Sequence, residues 1–289
     1  MNRIRVADAM AESLPAPPAR LLSLAHLSLI ETPPDRLIQI AAEAGFDFVD
    51  LRLSPATPTD RRYTPQERTA LCRALLPILR DAGIEVWDVE IIRLDDHTKP
   101  QDHLPLMKAA AMLGARRIKL ICDSQDQERA ADLLAQICLL AQPLGLVLDL
   151  EYMVFSGIRS LSAAANVVAM ADVPNLRVLV DALHWMRAGD TAADLRAAGP
   201  ARLGYVQLCD GPLQAPQDRE ALIREARTDR LAPGEGQFPL AALLDAMPPN
   251  CTASLEVPLP PGRDARAHAR QLRQAAFRLT QDHDNKVMP

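Results

Sequence analysis

Apolar runs recur along the chain, and nearly all are separated from the next by a segment of helical periodicity. The runs are rich in Leu, Val and Ile, and most lack the polar alternation of a half-exposed sheet, so they favour strands covered on both faces. They lie at residues 21–27, 46–53, 84–94, 117–122, 146–151, 177–181, 203–210 and 253–257. We therefore predict eight buried strands.

The intervening segments carry the residues that begin and end helices. Thr64-Pro65-Gln66-Glu67 is a capping box with proline at the first helical position. Thr32, followed by two prolines, predicts a second helix start, and Gly45 and Gly83 are typical of left-handed helix ends.

Strands that alternate with helices form a parallel sheet, and eight such units predict a single-domain (β/α)8 TIM barrel over residues 21–289. Residues 1–20 are predicted to be a loose N-terminal leader. The rival arrangement, a doubly wound open sheet, would normally show a glycine-rich phosphate turn after its first strand, and the sequence has none there.

Composition narrows the class of protein. A net charge of -5 argues against nucleic-acid or anionic-membrane binding, although a local basic pocket for an anionic small substrate stays compatible with it. The five cysteines are widely spaced and lack metal or redox spacing, which indicates reduced thiols in a cytoplasmic protein. No apolar run reaches the roughly 18 to 20 residues that span a bilayer.

Polar side chains stand at or near the ends of the last four predicted strands. They are Glu151, Asp181, Gln207 and Glu256. The carboxyl ends of barrel strands face one common mouth, so three carboxylates and an amide would meet there and repel unless a cation lay between them. All-oxygen ligands suit Mg²⁺ or Mn²⁺, with Co²⁺ or Zn²⁺ as further candidates. Singly, each of these residues could equally be a helix cap or a satisfied polar group.

Further residues near the mouth have two interpretations each. His184 follows Asp181 by three residues and could bind substrate, act as base or acid, or pack at a helix end. Arg230 could hold an anionic or hydroxylated substrate or form a salt bridge. Arg52 and Glu90, at the ends of the second and third strands, could line the pocket or be ion-pair partners.

Two other positions remain open in the same way. Asp210 follows Gln207 by three residues and could support the metal ligands or form a turn before Gly211-Pro212. Phe155 could form a wall of the pocket or belong to the packing.

Together these segments resemble the xylose isomerase-like TIM barrel superfamily of sugar phosphate isomerases and epimerases. The resemblance runs from about Leu21 to Val257. It is carried by residues 44–52, Asp149-Leu150-Glu151, Val180-Asp181-Ala182-Leu183-His184, Gln207-Leu208-Cys209-Asp210, residues 230–236 and Ser254-Leu255-Glu256.

The resemblance implies one catalytic divalent metal held by Glu151, Asp181, Gln207 and Glu256, with His184 at the substrate. It further implies an isomerase or epimerase that abstracts a proton next to a carbonyl through a metal-stabilised enediolate, with Glu151 and Glu256 moving the proton. The substrate would be a sugar or a polyhydroxy keto acid, bound by His184, Arg230, Arg52 and Glu90, and the protein could be a homo-oligomer.

Two alternatives remain. Sugar epimerases usually have His where this chain has Gln207, and the motifs also resemble bacterial 3-dehydroshikimate dehydratases, in which His184 would be the base. The second alternative is a non-catalytic small-molecule-binding barrel. The endonuclease IV branch of the superfamily, which uses many His ligands and several zinc ions, fits poorly because the chain has six His and an acidic balance.

Overall fold

Eight parallel strands close into a barrel in sequence order, which confirms the predicted fold. The computed structural model describes residues 20–57 and 60–287, so the predicted leader lies almost wholly outside the described residues. The first strand pairs with both the second and the eighth, and this pairing closes the sheet. The strands are β1 Leu22–Leu24, β2 Phe48–Arg52, β3 Glu85–Leu94, β4 Arg117–Cys122, β5 Val147–Glu151, β6 Leu176–Asp181, β7 Leu203–Leu208 and β8 Ala253–Leu255.

Helices surround the barrel and follow its strands. They are α1 Pro34–Ala44, α2 Pro65–Ala82, α3 Leu104–Met112, α4 Gln127–Ala141, α5 Leu161–Ala171, α6 Ala182–Ala188, α7 Ala192–Ala198, α8 Arg219–Thr228, α9 Leu240–Ala246 and α10 Ala265–Val287. Within the described residues, none of them is long and apolar enough to cross a membrane.

The predicted helix signals have mixed outcomes. The capping box at Thr64 is formed, with the Thr64 side chain and Glu67 bonding each other's backbone N–H groups. Gly45 and Gly83 both adopt the left-handed conformation that ends a helix. The predicted cap at Thr32 is wrong: α1 has Pro33 at its N-cap and no side-chain cap, because the chain enters the helix one residue later.

Three strands end two or more residues earlier than predicted. β1 ends at Leu24, and residues His26–Leu29 form a 3-10 helix instead of continuing the strand. β7 ends at Leu208 and β8 at Leu255. Gln207 therefore lies one residue before the end of its strand and Glu256 one residue after, so both still face the mouth.

The two faces of the sheet differ in character. Apolar side chains fill the layer between strands and helices, whereas the barrel interior holds buried charged groups at several heights. Near its lower end, Arg117 donates to Asp149 at 2.7 Å beside Tyr205. β7 carries Gly204 there, and a Cβ at that position would lie 1.9 Å from Asp149 Oδ1, so only glycine leaves room for the ion pair.

Candidate active site

Three carboxylates meet at the upper end of the barrel. Glu151 ends β5, Asp181 ends β6, and Glu256 follows β8; they are 4%, 1% and 1% exposed. One oxygen of each lies within 4.8 Å of the others, a spacing at which all three can ligate one cation. The residues that the sequence predicted to converge do converge.

Gln207, the fourth predicted ligand, lies next to Asp181 across the β6–β7 pair. Its Nε2 donates to Glu256 Oε1 at 3.1 Å. Its Oε1 is buried and has no hydrogen-bond partner among the described residues. A buried acceptor without a donor is costly, and beside three carboxylates it suits a hard divalent cation, because such ions take carboxylate and amide oxygens. The four residues therefore fit a divalent metal ion.

Two buried cations share these acids. Lys119 in β4 places its Nζ 2.9 Å from Glu256 Oε1 and 3.4 Å from Glu90 Oε1. Arg230 binds Asp181 Oδ2 at 2.6 Å and Glu256 Oε2 at 3.0 Å. The ammonium and guanidinium groups thus occupy part of the coordination capacity of the carboxylates, but each carboxylate oxygen has two lone pairs and can also bind a metal.

Arg230 and Arg52 both act here as ion-pair partners. Arg230 is 6% exposed and bridges two acids instead of reaching into an open cavity. Arg52 binds Glu90 Oε2 at 2.7 Å, so the two strand-end residues pair with each other. The ion-pair interpretation therefore describes Arg230, whereas Arg52 both pairs with Glu90 and lines a cavity at the mouth.

The charges at this end of the barrel nearly balance. The set comprises Glu90, Glu151, Asp181 and Glu256 against Arg52, Lys119 and Arg230. Fully ionised, it carries one excess negative charge. Burial raises the pKa of Glu151 to about 8, so at pH 7 this group is mostly protonated and the set is neutral.

Glu256 has the opposite tendency. Burial alone would raise its pKa, but Lys119 and Arg230 outweigh burial and hold the pKa well below its usual range. Glu256 is thus ionised at neutral pH. Glu151, by contrast, receives no hydrogen bond and forms no ion pair within the described part of the chain, and it keeps its proton. The two glutamates therefore differ in their readiness to take up or release a proton.

The helix-end interpretation of His184 describes the observed contacts, and its role as base, acid or substrate ligand stays a prediction. Asp181 Oδ1 accepts the backbone N–H of His184 at 3.0 Å and caps α6. The imidazole is 2% exposed, and its Nδ1 lacks a hydrogen-bond partner among the described residues. Burial lowers the pKa of His184 to about 4, so the ring is neutral at pH 7 and can accept a proton.

Asp210 is a turn residue. Its carboxylate accepts the backbone N–H groups of Gly211, Gly234 and Phe238, at 2.8 to 2.9 Å. It therefore ties together the segments before and after α8, and it forms no hydrogen bond with the four predicted ligands within the described residues.

A second acidic group lies deeper, on β2 and β3. Asp50, Asp88 and Glu90 have oxygens within 4.8 Å of one another. Asp50 accepts the hydroxyls of Ser23 and Ser254, and burial raises its pKa to about 7. These hydroxyl partners indicate a structural network beneath the upper cluster.

Two cavities open at the mouth, and neither is lined by one of the four predicted ligands. The larger, about 690 Å³, is lined by the loops after β2, β4 and β5, by the end of β3 and by α8, with Met153 and Phe155 on its wall. The Phe155 ring contacts the His184 ring edge to face at 5.5 Å. The smaller, about 550 Å³, includes Arg52. Phe155 thus lies between the larger cavity and the buried cluster, as a wall residue.

Lys119 is the component that the sequence-based prediction missed. In Arg117-Ile118-Lys119-Leu120 the charged residues alternate with apolar ones, as on a strand with a charged inner face. That alternation could have indicated it, together with the mid-strand acids Asp50 and Asp149.

A closed barrel of eight parallel strands alternating with helices defines the class of (β/α)8 TIM barrels, whose C-terminal mouth here carries the carboxylates. The sequence model of the xylose isomerase-like TIM barrel family matches residues 38–275. The chain belongs to this family. No curated protein matches the sequence.

Solved structures of similar fold include both epimerases and a dehydratase. IolI, solved with a bound zinc, is 15% identical over 92% of this chain and 98% of its own (TM-score 0.70). D-psicose 3-epimerase from Clostridium cellulolyticum, solved with D-tagatose, is 16% identical over 93% and 99% (TM-score 0.65). AsbF from Bacillus anthracis, a probable 3-DHS dehydratase, is 14% identical over 88% and 97% (TM-score 0.65).

One similar structure is considerably longer than this chain. A fusion of a xylose isomerase-like TIM barrel with a 4-hydroxyphenylpyruvate dioxygenase is 20% identical over 92% of this chain but only 45% of its own (TM-score 0.72). At these identities the structural similarities establish the fold alone.

Proposed function

We propose that the protein is a divalent-metal-dependent isomerase or epimerase of a sugar or sugar phosphate. The observation that carries this proposal is the convergence of Glu151, Asp181 and Glu256 beside Gln207, whose Oε1 has no hydrogen-bond partner in the described part of the chain. Mg²⁺ and Mn²⁺ are the ions that we expect, since all four ligands offer oxygen. The epimerases of similar fold support the reaction class, and the zinc bound by IolI supports a metal in a barrel of this fold.

The two glutamates are suited to move a proton. Metal binding requires Glu151 to lose its own proton, after which its carboxylate is the more basic of the two and can remove a proton from substrate. Glu256, held beside Lys119 and Arg230, lies on the other side of the cluster and would exchange the proton at the opposite face. A bound divalent ion would polarise the substrate carbonyl and change the net charge of the cluster from -1 to +1, which favours the single negative charge left by proton abstraction.

The test uses Mn²⁺-loaded protein with ketoses and their phosphates in D₂O, followed by proton NMR. Deuterium entering the carbon next to the carbonyl, with a new epimer or aldose, is the expected result. Glu151→Gln and Asp181→Asn should lose tight Mn²⁺ binding and exchange together. Glu85→Gln, a surface glutamate paired with Arg116, is the matched control and should keep both. Tight metal binding retained in both site variants would refute the ligand assignment.

His184 supports a second candidate, a dehydratase acting on a 3-dehydroshikimate-like keto acid. Its ring is neutral and its Nδ1 has no partner in the described chain, so the imidazole is in the unprotonated form from which a general base acts, although burial lowers its pKa and weakens it as a base. The dehydratase predicts an unsaturated or aromatic product and a turnover that falls by about a hundredfold or more in His184→Ala with metal binding preserved. If no compound reacts while Mn²⁺ binds tightly, the barrel binds its ligand without converting it.

A further inference from the structure

The larger cavity at the mouth is lined by arginines from four separate segments. They are Arg62, Arg93, Arg159, Arg219 and Arg227, and the one acid on the same wall is Asp123. We call this cavity the arginine cleft. The chain as a whole carries a net charge of -5, so this concentration of positive charge is a local feature of the cleft.

Four of the five guanidinium groups have no carboxylate partner among the described residues. Arg93 is the exception and binds Asp123 at 2.5 Å. Elsewhere in the chain arginines commonly pair with acids, as Arg187 does with Glu225 and Arg266 with Glu43. Like charges around one cavity repel each other, and an anionic ligand would relieve that repulsion.

Two of the arginines are held by a fixed loop. Arg159 Nε donates to Ser156 O at 3.1 Å, and the NH2 of Arg219 donates to Phe155 O at 3.3 Å. The buried Ser156 hydroxyl in turn bonds Met153 O and Ile158 O. Gly157 packs so closely that a Cβ would lie 2.3 Å from Ser124 O. The loop after β5 therefore sets the positions of both arginines before a ligand arrives.

The same loop connects the cleft to the acidic cluster. It begins directly after Glu151, and its Phe155 has a carbonyl that orients Arg219 and a ring that contacts His184. A volume of about 690 Å³ suits a small metabolite and is too small for a macromolecule.

We propose that the arginine cleft binds a terminal anionic group of the substrate, a phosphate or a carboxylate, while the hydroxycarbonyl end reaches the cluster below. The substrate is then an anionic polyhydroxy carbonyl compound, and neutral sugars are poor ligands. Guanidinium groups bind both anions through paired N–H donors, and this shared chemistry defines the site. The inference rests on the proposed function for the position of the reacting end.

The first experiment uses the full chain freed of metal with EDTA, at low ionic strength, so that anions cannot bind through the metal. Inorganic phosphate and malonate are the two probes, titrated by calorimetry. We expect at least one to bind with a millimolar or lower Kd that weakens at least tenfold in the double variant Arg159→Gln, Arg219→Gln. Arg80→Gln, an exposed arginine on α2, is the matched control and should leave the Kd unchanged. The probe that binds more tightly shows whether the cleft prefers a phosphate or a carboxylate.

The outcomes for the two proposals are separable. If neither anion binds at 10 mM, or if the double variant binds as wild type does, the cleft proposal is wrong whatever the reaction is. Glu151→Gln lies outside the cleft and should keep anion binding. If the wild type loaded with Mn²⁺ binds the anion but exchanges no proton of any substrate, the proposed function is contradicted. The proposal that the arginine cleft binds an anion is then still supported.

Discussion

Replacing Lys119 by Met tests whether the acids of the barrel depend on their internal cations. The side chain is 2% exposed and lies 2.9 Å from Glu256 and 3.4 Å from Glu90, so the substitution removes charge while keeping most of the volume. Removing one partner of a buried ion pair typically lowers the free energy of unfolding by about 3–5 kcal/mol. We expect a loss of this size in metal-free protein at pH 8.

The loss should shrink at low pH. Without Lys119 the pKa of Glu256 and of Glu90 must rise, because burial then acts with less opposition. In the variant these acids hold their protons up to a higher pH than in the wild type, so the difference in stability between the two proteins shrinks as pH falls below the raised pKa values. The variant should therefore be closer to wild type at pH 5 than at pH 8.

Urea unfolding at the two pH values, with EDTA and then with Mn²⁺, measures both effects. Lys108→Met on α3 is the matched control, since Lys108 is exposed and the same change there should alter stability by about 0.5 kcal/mol or less. Removing a positive charge near the ligands should also tighten Mn²⁺ binding at least tenfold. That is about 1.4 kcal/mol, well below the roughly 4 kcal/mol of two unit charges 4 Å apart at an effective dielectric constant of 20. Stability equal to that of Lys108→Met, or weaker Mn²⁺ binding, would refute the reasoning.

Three further predictions concern other buried groups. Because burial raises the pKa of Glu151 to about 8, Mn²⁺ binding at pH 6.5 should release about one proton, and the affinity for Mn²⁺ should rise up to pH 8. Calorimetry in two buffers of different ionisation enthalpy measures both quantities. An affinity for Mn²⁺ that does not depend on pH would contradict the assignment of Glu151 as a ligand. Burial raises the pKa of Asp50 to about 7 from an ordinary 3.8, so its contribution to stability is complete below pH 4 and is lost as pH rises through 7. Asp50→Asn should therefore flatten the fall in Tm between pH 5 and 8. An unchanged slope would show that Asp50 is not the titrating group. Gly204→Ala should lower stability by about 1–3 kcal/mol in urea, since its Cβ displaces Asp149 from Arg117, and a wild-type unfolding midpoint would mean that the barrel relaxes easily there.

Much of the architecture was predictable because its determinants are local. Each strand of a (β/α)8 barrel is a short apolar run and each helix carries its own boundary residues, so eight units could be counted without knowing how they pair. The carboxyl ends of parallel strands share one edge, and this rule alone brought Glu151, Asp181 and Glu256 together. The misplaced cap at Thr32 and the early end of β1 are boundary errors of this local kind.

The internal cations Lys119 and Arg230 could not be predicted in the same way, because their positions depend on how the strands and loops are placed relative to one another in the folded barrel. Lys119 reaches Glu256 only because β4 and β8 face each other across the barrel interior, a relation that no local pattern specifies. Irregular pairing adds to this difficulty: the β3 register shifts between Val89 and Ile92, which alters the height at which Glu90 enters the interior. Arg230 comes from the loop after α8, and no strand rule applies to it.

These internal cations change what the carboxylate cluster can do. Three buried acids without counter-charges would repel strongly, and folding would depend on a metal to hold them together. Lys119 and Arg230, with Glu151 protonated, leave the upper cluster of the metal-free barrel without excess charge. Under the proposed function, a divalent ion would have only one excess negative charge to neutralise, and it would displace the Glu151 proton to bind. Such a cluster would take up its metal after folding and would bind it more weakly than an all-acid site. The excess positive charge of the bound metal would then be available to an anionic reaction intermediate instead of being consumed by the protein.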